Sequence, residues 1–169
     1  MVLQTRQITD AEFDRFVMLP ENIDRNFEFI AGEIVEVVSS SKSSRTAVKM
    51  SSRVGVHVDD NHLGRVTGAD GGYMVYGEKY IPDVAFISII KQPEPCYEPY
   101  NPLPPDLAIE VLSQTNDEHE IRIKIVNYLL AGTVVWLVDP FKKYVQVFIP
   151  NQPPQTLGMD GVLEGGVVL

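Results

Sequence analysis

The sequence predicts an α/β fold. Helical signals occur at residues 9–19, 41–62 and 117–131, and runs typical of β-strands lie between them. The run at residues 133–139 is apolar almost throughout, which is typical of a strand at the centre of a sheet that is covered on both faces. Helices that alternate with such strands are the pattern of an α/β protein.

Size and composition fit one domain over residues 1–169, with 44% hydrophobic and 22% charged residues. No stretch approaches the roughly 20 apolar residues of a membrane span. Residues 1–6 lack the charged-then-apolar layout of a signal peptide. Cys96 is the single cysteine, which excludes an intrachain disulfide and a cysteine-based zinc site. We therefore expect a cytoplasmic protein.

The formal net charge of -9 argues against a protein that coats nucleic acid regardless of sequence. It does not exclude an enzyme that acts on nucleic acid, because a local basic face can coexist with an acidic remainder.

The first two elements are a short helix and a hairpin. Thr9 and Glu12 form a capping-box pattern at the start of the helix over residues 9–19. Residues 26–38 read as a β-hairpin around the turn Ala31-Gly32. Three glutamates interrupt the arms of this hairpin, and we expect at least two of them to lie on a solvent-exposed face: Glu28, Glu33 and Glu36.

The helix over residues 41–62 starts in a serine-rich segment, and Gly64 stands where a C-cap glycine is expected. Four basic residues recur along it at steps of three, four and four, and so share one stripe: Lys42, Arg45, Lys49 and Arg53. The stripe is either an ordinary solvated face or a surface that contacts the phosphate backbone of a nucleic acid.

The rest of the chain reads mainly as strands. Runs at 65–67, 73–76 and 83–90 precede a proline-rich loop at 91–106, and a buried strand follows at 107–112. Asn116 or Asp117 caps the next helix, which ends at Gly132. The strand at 133–139 forms a hairpin with 144–149. Residues 166–169 look like a strand cut short, so we expect a truncated C-terminal end.

Three ionisable residues lie in apolar surroundings, where a charge is costly unless it is paired or bound to a metal. Asp83 opens the apolar run after Pro82, and Glu110 lies inside the strand 107–112. Lys124 falls on the apolar side of its helix. Each has a structural explanation by itself: a Pro-Asp turn, a salt bridge, and a lysine whose ammonium reaches the surface.

The order of the three residues indicates a metal site. Two carboxylates on adjacent strands can hold Mg²⁺ through oxygen ligands. A metal there can polarise a phosphodiester oxygen and lower the pKa of a bound water, and a nearby lysine can orient that water or offset charge in the transition state.

These residues resemble the motif of the PD-(D/E)XK nuclease superfamily, and in particular its Uma2 branch of restriction-endonuclease-like proteins, DUF820. The resemblance covers about residues 8–150 and is carried by four segments: 27–35, 81–84, 104–113 and 124–140. In the last segment Lys124, Tyr128 and Gly132 keep the family's spacing of four and four. Leu112 stands where the superfamily's lysine is customary, two residues after Glu110.

The resemblance implies a restriction-endonuclease-like fold with a central mixed β-sheet flanked by helices. It implies that Asp83 and Glu110 bind the metal, Mg²⁺ or Mn²⁺, and that Lys124 replaces the customary lysine by reaching back from the helix. It also implies that Glu28, at the family's N-terminal acidic position, adds a metal or water contact. The expected partner is DNA, and a homodimer would cut both strands most easily.

Two further functions compete with a nuclease. A non-catalytic descendant would use the same fold to bind nucleic acid or a protein, with the charged residues as a buried ion-pair network; the net charge of -9 favours it, whereas the intact set of three residues favours the nuclease. A small-molecule hydrolase gains no support, because the chain has no Gly-x-Ser-x-Gly nucleophile motif.

Overall fold

The structure, a computed structural model, describes residues 7–164. The helices are α1 (Asp10–Val17), α2 (Ser41–Asp60) and α3 (Glu118–Leu130), and a short 3-10 helix spans Pro20–Asn22. The strands are β1 (Phe27–Ile30), β2 (Glu33–Glu36), β3 (Gly64–Thr67), β4 (Gly72–Val75), β5 (Glu78–Tyr80), β6 (Val84–Ser88), β7 (Tyr100–Asn101), β8 (Leu107–Val111), β9 (Val134–Asp139), β10 (Tyr144–Phe148) and β11 (Gln155–Leu157).

The larger sheet is mixed and has the strand order β11-β10-β9-β8-β6-β3. Strands β8 and β9 are parallel, and α3 connects them. The other neighbours in this sheet are antiparallel. The α/β class and the mixed sheet expected from the sequence are confirmed.

A second sheet has the order β2-β1-β5-β4-β7 and was not expected from the sequence. It starts from the predicted hairpin, whose turn residues Ala31 and Gly32 both have positive φ. Strand β5 then pairs with β1 through Phe29 and Lys79, and β7 pairs parallel to β4. Strands β5 and β7 were missed because they are three and two residues long, too short to display an alternating pattern.

Helices cover both faces of the larger sheet. Helix α2 packs on one face through Ala47, Val54 and Val58. On the other face, α3 and residues of the second sheet form one apolar cluster with β8 and β9. Because side chains alternate along a strand, Ile109 points towards α2 and Glu110 points into the layer between the two sheets.

The helix ends follow their capping residues. The capping box of Thr9 and Glu12 is formed, Ser40 caps α2, and Asp117 caps α3. The expected C-cap role of Gly64 is wrong: α2 ends at Asp60, and Gly64 begins β3. A Cβ at this glycine would lie 2.1 Å from the carbonyl oxygen of Ile87, so the close approach of β3 to β6 requires glycine.

Between residues 7 and 164, no helix is both long enough and apolar enough to cross a membrane. The segment considered as a leader, residues 1–6, and the strand expected at 166–169 lie outside the described residues.

Candidate active site

The four acidic and basic residues predicted for a site border one cavity of about 150 Å³. Glu28 comes from the second sheet, Asp83 and Glu110 come from the larger sheet, and Lys124 comes from α3. Strands β6 and β8 pair Val84 with Ile109. One step further along this antiparallel register, Asp83 stands opposite Glu110. The fold therefore places these two carboxylates on adjacent strand ends.

Lys124 bridges two of the carboxylates. Its Nζ lies 2.8 Å from Oε1 of Glu28 and 2.8 Å from Oε1 of Glu110. All three residues are buried, with exposed fractions of 5–6%. The lysine therefore does not reach the surface, and its ammonium is the partner that makes two buried carboxylates tolerable.

Three carboxylates of the cavity, those of Glu28, Asp83 and Glu110, are each anchored through one oxygen. The anchors besides Lys124 are the backbone N–H of Ile81 for Glu28 Oε1 (2.6 Å), the hydroxyl of Tyr128 for Glu110 Oε1 (3.0 Å), and the backbone N–H of Val111 for Asp83 Oδ2 (2.7 Å). Among the described residues no buried side-chain oxygen lacks a hydrogen-bond partner. The second oxygen of each of these carboxylates has no hydrogen-bond partner among the same residues. It therefore cannot be fully buried, and it is open to the cavity that the residue lines.

Burial raises the pKa of Glu110 to about 7; the Lys124 charge opposes this rise, and the charges of Glu28 and Asp83 add to it. Burial also raises the pKa of Asp83 above its usual range. For Lys124, burial by itself would lower the pKa, but Glu110 and Glu28 raise it above its ordinary value. The ammonium therefore stays charged at neutral pH, facing carboxylates that repel one another.

Tyr128 contacts the site from the core, through its hydrogen bond to Glu110. Burial raises the pKa of this tyrosine well above its ordinary value, and the charge of Glu110 raises it further. The phenol therefore stays protonated at neutral pH and donates its hydrogen bond to Glu110.

The donor set fits the divalent cation that the predicted chemistry requires. Mg²⁺ is usually bound by one or two carboxylates and keeps several waters. Asp83 and Glu110 offer two carboxylates, each with one oxygen open to the cavity. In the described part of the chain, no three His, Cys, Asp or Glu side chains are grouped closely enough to hold a metal by themselves. Waters or substrate oxygens would therefore complete the coordination of a cation there.

The predicted basic stripe lies on the exposed face of α2. Lys42, Arg45, Lys49 and Arg53 are all exposed. None of them forms an ion pair with a residue in the range 7–164; Lys42 lies 4.2 Å from the centre of the Phe141 ring.

The stripe begins near the cavity. The hydroxyl of Ser43, in the first turn of α2, donates to the carbonyl of Leu112 at 2.9 Å, just after the strand that carries Glu110. Ser39, just before the helix, borders the cavity itself. Four cations that have no carboxylate partner within residues 7–164 therefore extend from this region along α2, a helix of 20 residues and about 30 Å.

Sequence reasoning missed Glu120, which is half-buried and borders the cavity. Burial raises its pKa, and the negative charges of Asp117 and Glu28 add to this effect. Its position four residues before Lys124 was the available signal, because residues at that spacing share one face of a helix.

Comparisons with known proteins agree with this architecture. Residues 11–169 match the model of the family Uma2, described as "Putative restriction endonuclease". A solved structure from Anabaena variabilis ATCC 29413, described as "a putative nuclease belonging to DUF820", matches with a TM-score of 0.77 at 23% sequence identity. The match covers 89% of this chain and 87% of that one, and at this identity it establishes the fold alone. No curated protein matches the chain.

Proposed function

Because the chain belongs to the Uma2 family, we propose that it is a metal-dependent endonuclease that hydrolyses phosphodiester bonds of DNA. One observation carries the proposal. A charged lysine borders a single cavity together with the carboxylates of Glu28, Asp83 and Glu110, and each of these three carboxylates keeps one oxygen open to it. Such a site can bind a divalent cation and a phosphate together.

In this proposal Asp83 and Glu110 hold Mg²⁺ or Mn²⁺. The bound cation would polarise a phosphodiester oxygen and lower the pKa of a water. Lys124 orients the attacking water or offsets the negative charge that grows on the phosphate. Glu28 keeps the ammonium in place through its 2.8 Å contact and gives its open oxygen to a water.

The stripe of α2, residues Lys42, Arg45, Lys49 and Arg53, would bind the phosphate backbone of DNA on one side of the scissile bond. What supports this role is the lack of carboxylate partners among the described residues, in a chain whose net charge is -9. A homodimer, which would bring two sites to the two strands, and a cytoplasmic location belong to the same proposal.

Plasmid cleavage tests the proposal. Supercoiled DNA is incubated with the protein and Mn²⁺, and nicked and linear products are measured. We expect cleavage by the parent and by Arg122→Ala, which removes an exposed cation from the same helix, and none by Asp83→Ala or Lys124→Ala. Equal cleavage by all four proteins would identify a contaminating nuclease.

A second function is a nuclease-fold protein that binds nucleic acid or a protein partner without cutting. The observation that favours it is the ion-pair network of Glu28, Lys124 and Glu110, whose buried polar atoms are satisfied without a metal. Binding of DNA without cleavage, together with no stabilisation by Mg²⁺ or Mn²⁺, would favour this function over the nuclease.

A further inference from the structure

Tyr128 has no part in the proposed function, yet its hydroxyl touches the candidate site. The side chain is fully buried on α3, one helical turn after Lys124. Its hydroxyl donates to Oε1 of Glu110 at 3.0 Å, and Lys124 binds the same oxygen at 2.8 Å. One carboxylate oxygen therefore receives two donors from one helix, while the other oxygen receives none from the described residues.

The ring of Tyr128 is fixed by its neighbours. It packs edge-on against Tyr80, with the ring centres 5.4 Å apart at an interplanar angle of 63°. The Tyr80 hydroxyl is turned away from the carboxylates and accepts a hydrogen bond from Asn127 at 2.7 Å, so the ring of Tyr80, and not its hydroxyl, supports Tyr128. The Nζ of Lys124 lies 5.4 Å from the centre of the Tyr80 ring. The donor is therefore set in position before any ligand arrives.

We propose that Tyr128 is a positioning residue, which holds Oε1 of Glu110 and so keeps Oε2 directed at a divalent cation in the cavity. This role rests on the proposed function, because it requires that a cation binds there. A carboxylate held only by Lys124 can turn and offer both oxygens to the ammonium. The hydroxyl of Tyr128 occupies the position that blocks this turn, and it leaves one oxygen for the cation.

The chain offers a matched pair of variants. Tyr128→Phe removes the hydroxyl that touches Glu110. Tyr80→Phe removes a hydroxyl from the partner ring of the same aromatic pair, and that hydroxyl touches Asn127 instead. Both changes keep the rings and their packing, so the difference between the variants isolates the contact with the carboxylate.

The affinity for Mn²⁺ is measured by titration calorimetry on the parent and on both variants. Loss of a group that orients a metal ligand typically weakens metal binding by roughly 10–100-fold, and we expect a loss of this size in Tyr128→Phe. The affinity of Tyr80→Phe should equal that of the parent. Plasmid cleavage by Tyr128→Phe should recover at high Mn²⁺, and urea unfolding without metal should show that the variant is folded under the conditions of the assay.

Unchanged Mn²⁺ affinity in Tyr128→Phe would overturn the positioning role and leave the proposed function standing. Equal weakening in both tyrosine variants would also overturn it, because the cause would then be general loosening. A parent that binds no divalent cation would refute the proposed function, and the positioning role with it.

If Tyr128→Phe does not fold, the unaltered protein gives the answer. The ¹³C resonance of the ring carbon that bears the hydroxyl is followed for Tyr128 and Tyr80 during titration with Mg²⁺. The proposal predicts that the Tyr128 resonance moves with the same midpoint as cation binding, and that the Tyr80 resonance moves less. If the chemical shift of Tyr128 does not change when the cation binds, the positioning role of Tyr128 is contradicted.

Discussion

The Asp83 carboxylate accepts a hydrogen bond at 2.7 Å from the backbone N–H of Val111, the residue that follows Glu110. This contact joins the residue before β6 to the end of β8, at the point where Asp83 stands opposite Glu110 in the strand register. One oxygen of Asp83 therefore stabilises the fold through this hydrogen bond, and the other is free to bind a ligand. Mutation can separate the two roles.

We predict that Asp83→Asn keeps the fold and loses the response to metal. The amide oxygen of asparagine can still accept from Val111, but the negative charge is gone. A cation at a concentration about 100 times its Kd stabilises a protein by about 2.7 kcal/mol, and this gain should vanish in the variant. Urea unfolding with and without Mn²⁺ measures it.

The control for this prediction is Asp83→Ala, which also removes the hydrogen bond and should cost roughly 1–3 kcal/mol in the absence of metal. Stabilisation by Mn²⁺ that persists in Asp83→Asn would show that the cation binds elsewhere.

We predict that Lys124→Met strongly destabilises the metal-free protein. The change leaves Glu28 and Glu110 buried without their shared cation, and breaking a buried ion pair from one side costs about 3–5 kcal/mol. Chemical denaturation at pH 8 gives the value. Arg122→Met on the same helix breaks only an exposed pair and should change stability by less than about 1 kcal/mol.

The double variant Lys124→Met/Glu110→Gln should recover part of the lost stability, because it removes one of the two stranded charges. If Lys124→Met alone is as stable as the parent, the ion pairs of Lys124 with Glu28 and Glu110 contribute nothing to stability in solution.

Stability of the metal-free protein should depend on the protonation of Glu110. Its pKa rises from an ordinary 4.5 to about 7 on folding, chiefly through burial. Between these two pH values the native protein binds more protons than the unfolded chain. The stabilisation that comes from protonated Glu110 is therefore complete below about pH 4.5 and is lost as the pH rises through 7. Other groups titrate in the same range, so the measurement is a difference between parent and Glu110→Gln.

The parent should lose stability relative to Glu110→Gln between about pH 5 and 8 in urea titrations without metal. A difference between the two proteins that is constant across this range would contradict the assigned shift. Asp83, whose pKa is also raised by burial, acts in the same direction and remains in both proteins.

The basic stripe predicts a salt dependence of DNA binding. Each phosphate contact contributes about 0.9 to the slope of log affinity against log salt concentration. The triple variant Arg45→Gln, Lys49→Gln, Arg53→Gln should therefore lower the slope by about two to three and weaken binding regardless of DNA sequence. Fluorescence anisotropy on a labelled duplex, with EDTA present to prevent cleavage, gives both quantities.

A control of equal charge replaces exposed cations elsewhere: Arg15→Gln, Arg122→Gln and Lys143→Gln. If both triple variants lower the slope equally, net charge is responsible and α2 is an ordinary solvated face.

Local signals predicted the elements that have strong caps or long apolar runs. The capping box of Thr9, the hairpin around Ala31-Gly32 and the buried strand ending at Asp139 were read from neighbouring residues alone. The second sheet could not be predicted in this way, because it depends on long-range pairing such as that of Phe29 with Lys79. Strand β11, three residues long beside a proline pair, carries no local pattern either.

The sequence identified four residues that border the cavity, but it did not predict which atoms of these residues contact one another. The strand pattern alone did not show which of the three hairpin glutamates is buried, and the pairing of the second sheet shows why it is Glu28. Lys124 and Tyr128 share a helix face by their spacing, but the oxygen that both bind lies on a strand 14 and 18 residues away. The metal and catalytic roles of Asp83, Glu110, Lys124 and Glu28 stay a prediction.

The bridge from Lys124 to Glu28 joins residues 96 positions apart in the chain. Contacts of such high sequence separation carry a large loop-closure cost and tend to make folding slow. Glu28 belongs to the second sheet, whereas Asp83 and Glu110 belong to the larger sheet. A chain in which only one sheet has formed can therefore assemble only some of the charged residues of the cavity. We therefore expect the cavity to be completed late in folding, so that half-synthesised chains would lack the assembled group of Glu28, Glu110 and Lys124.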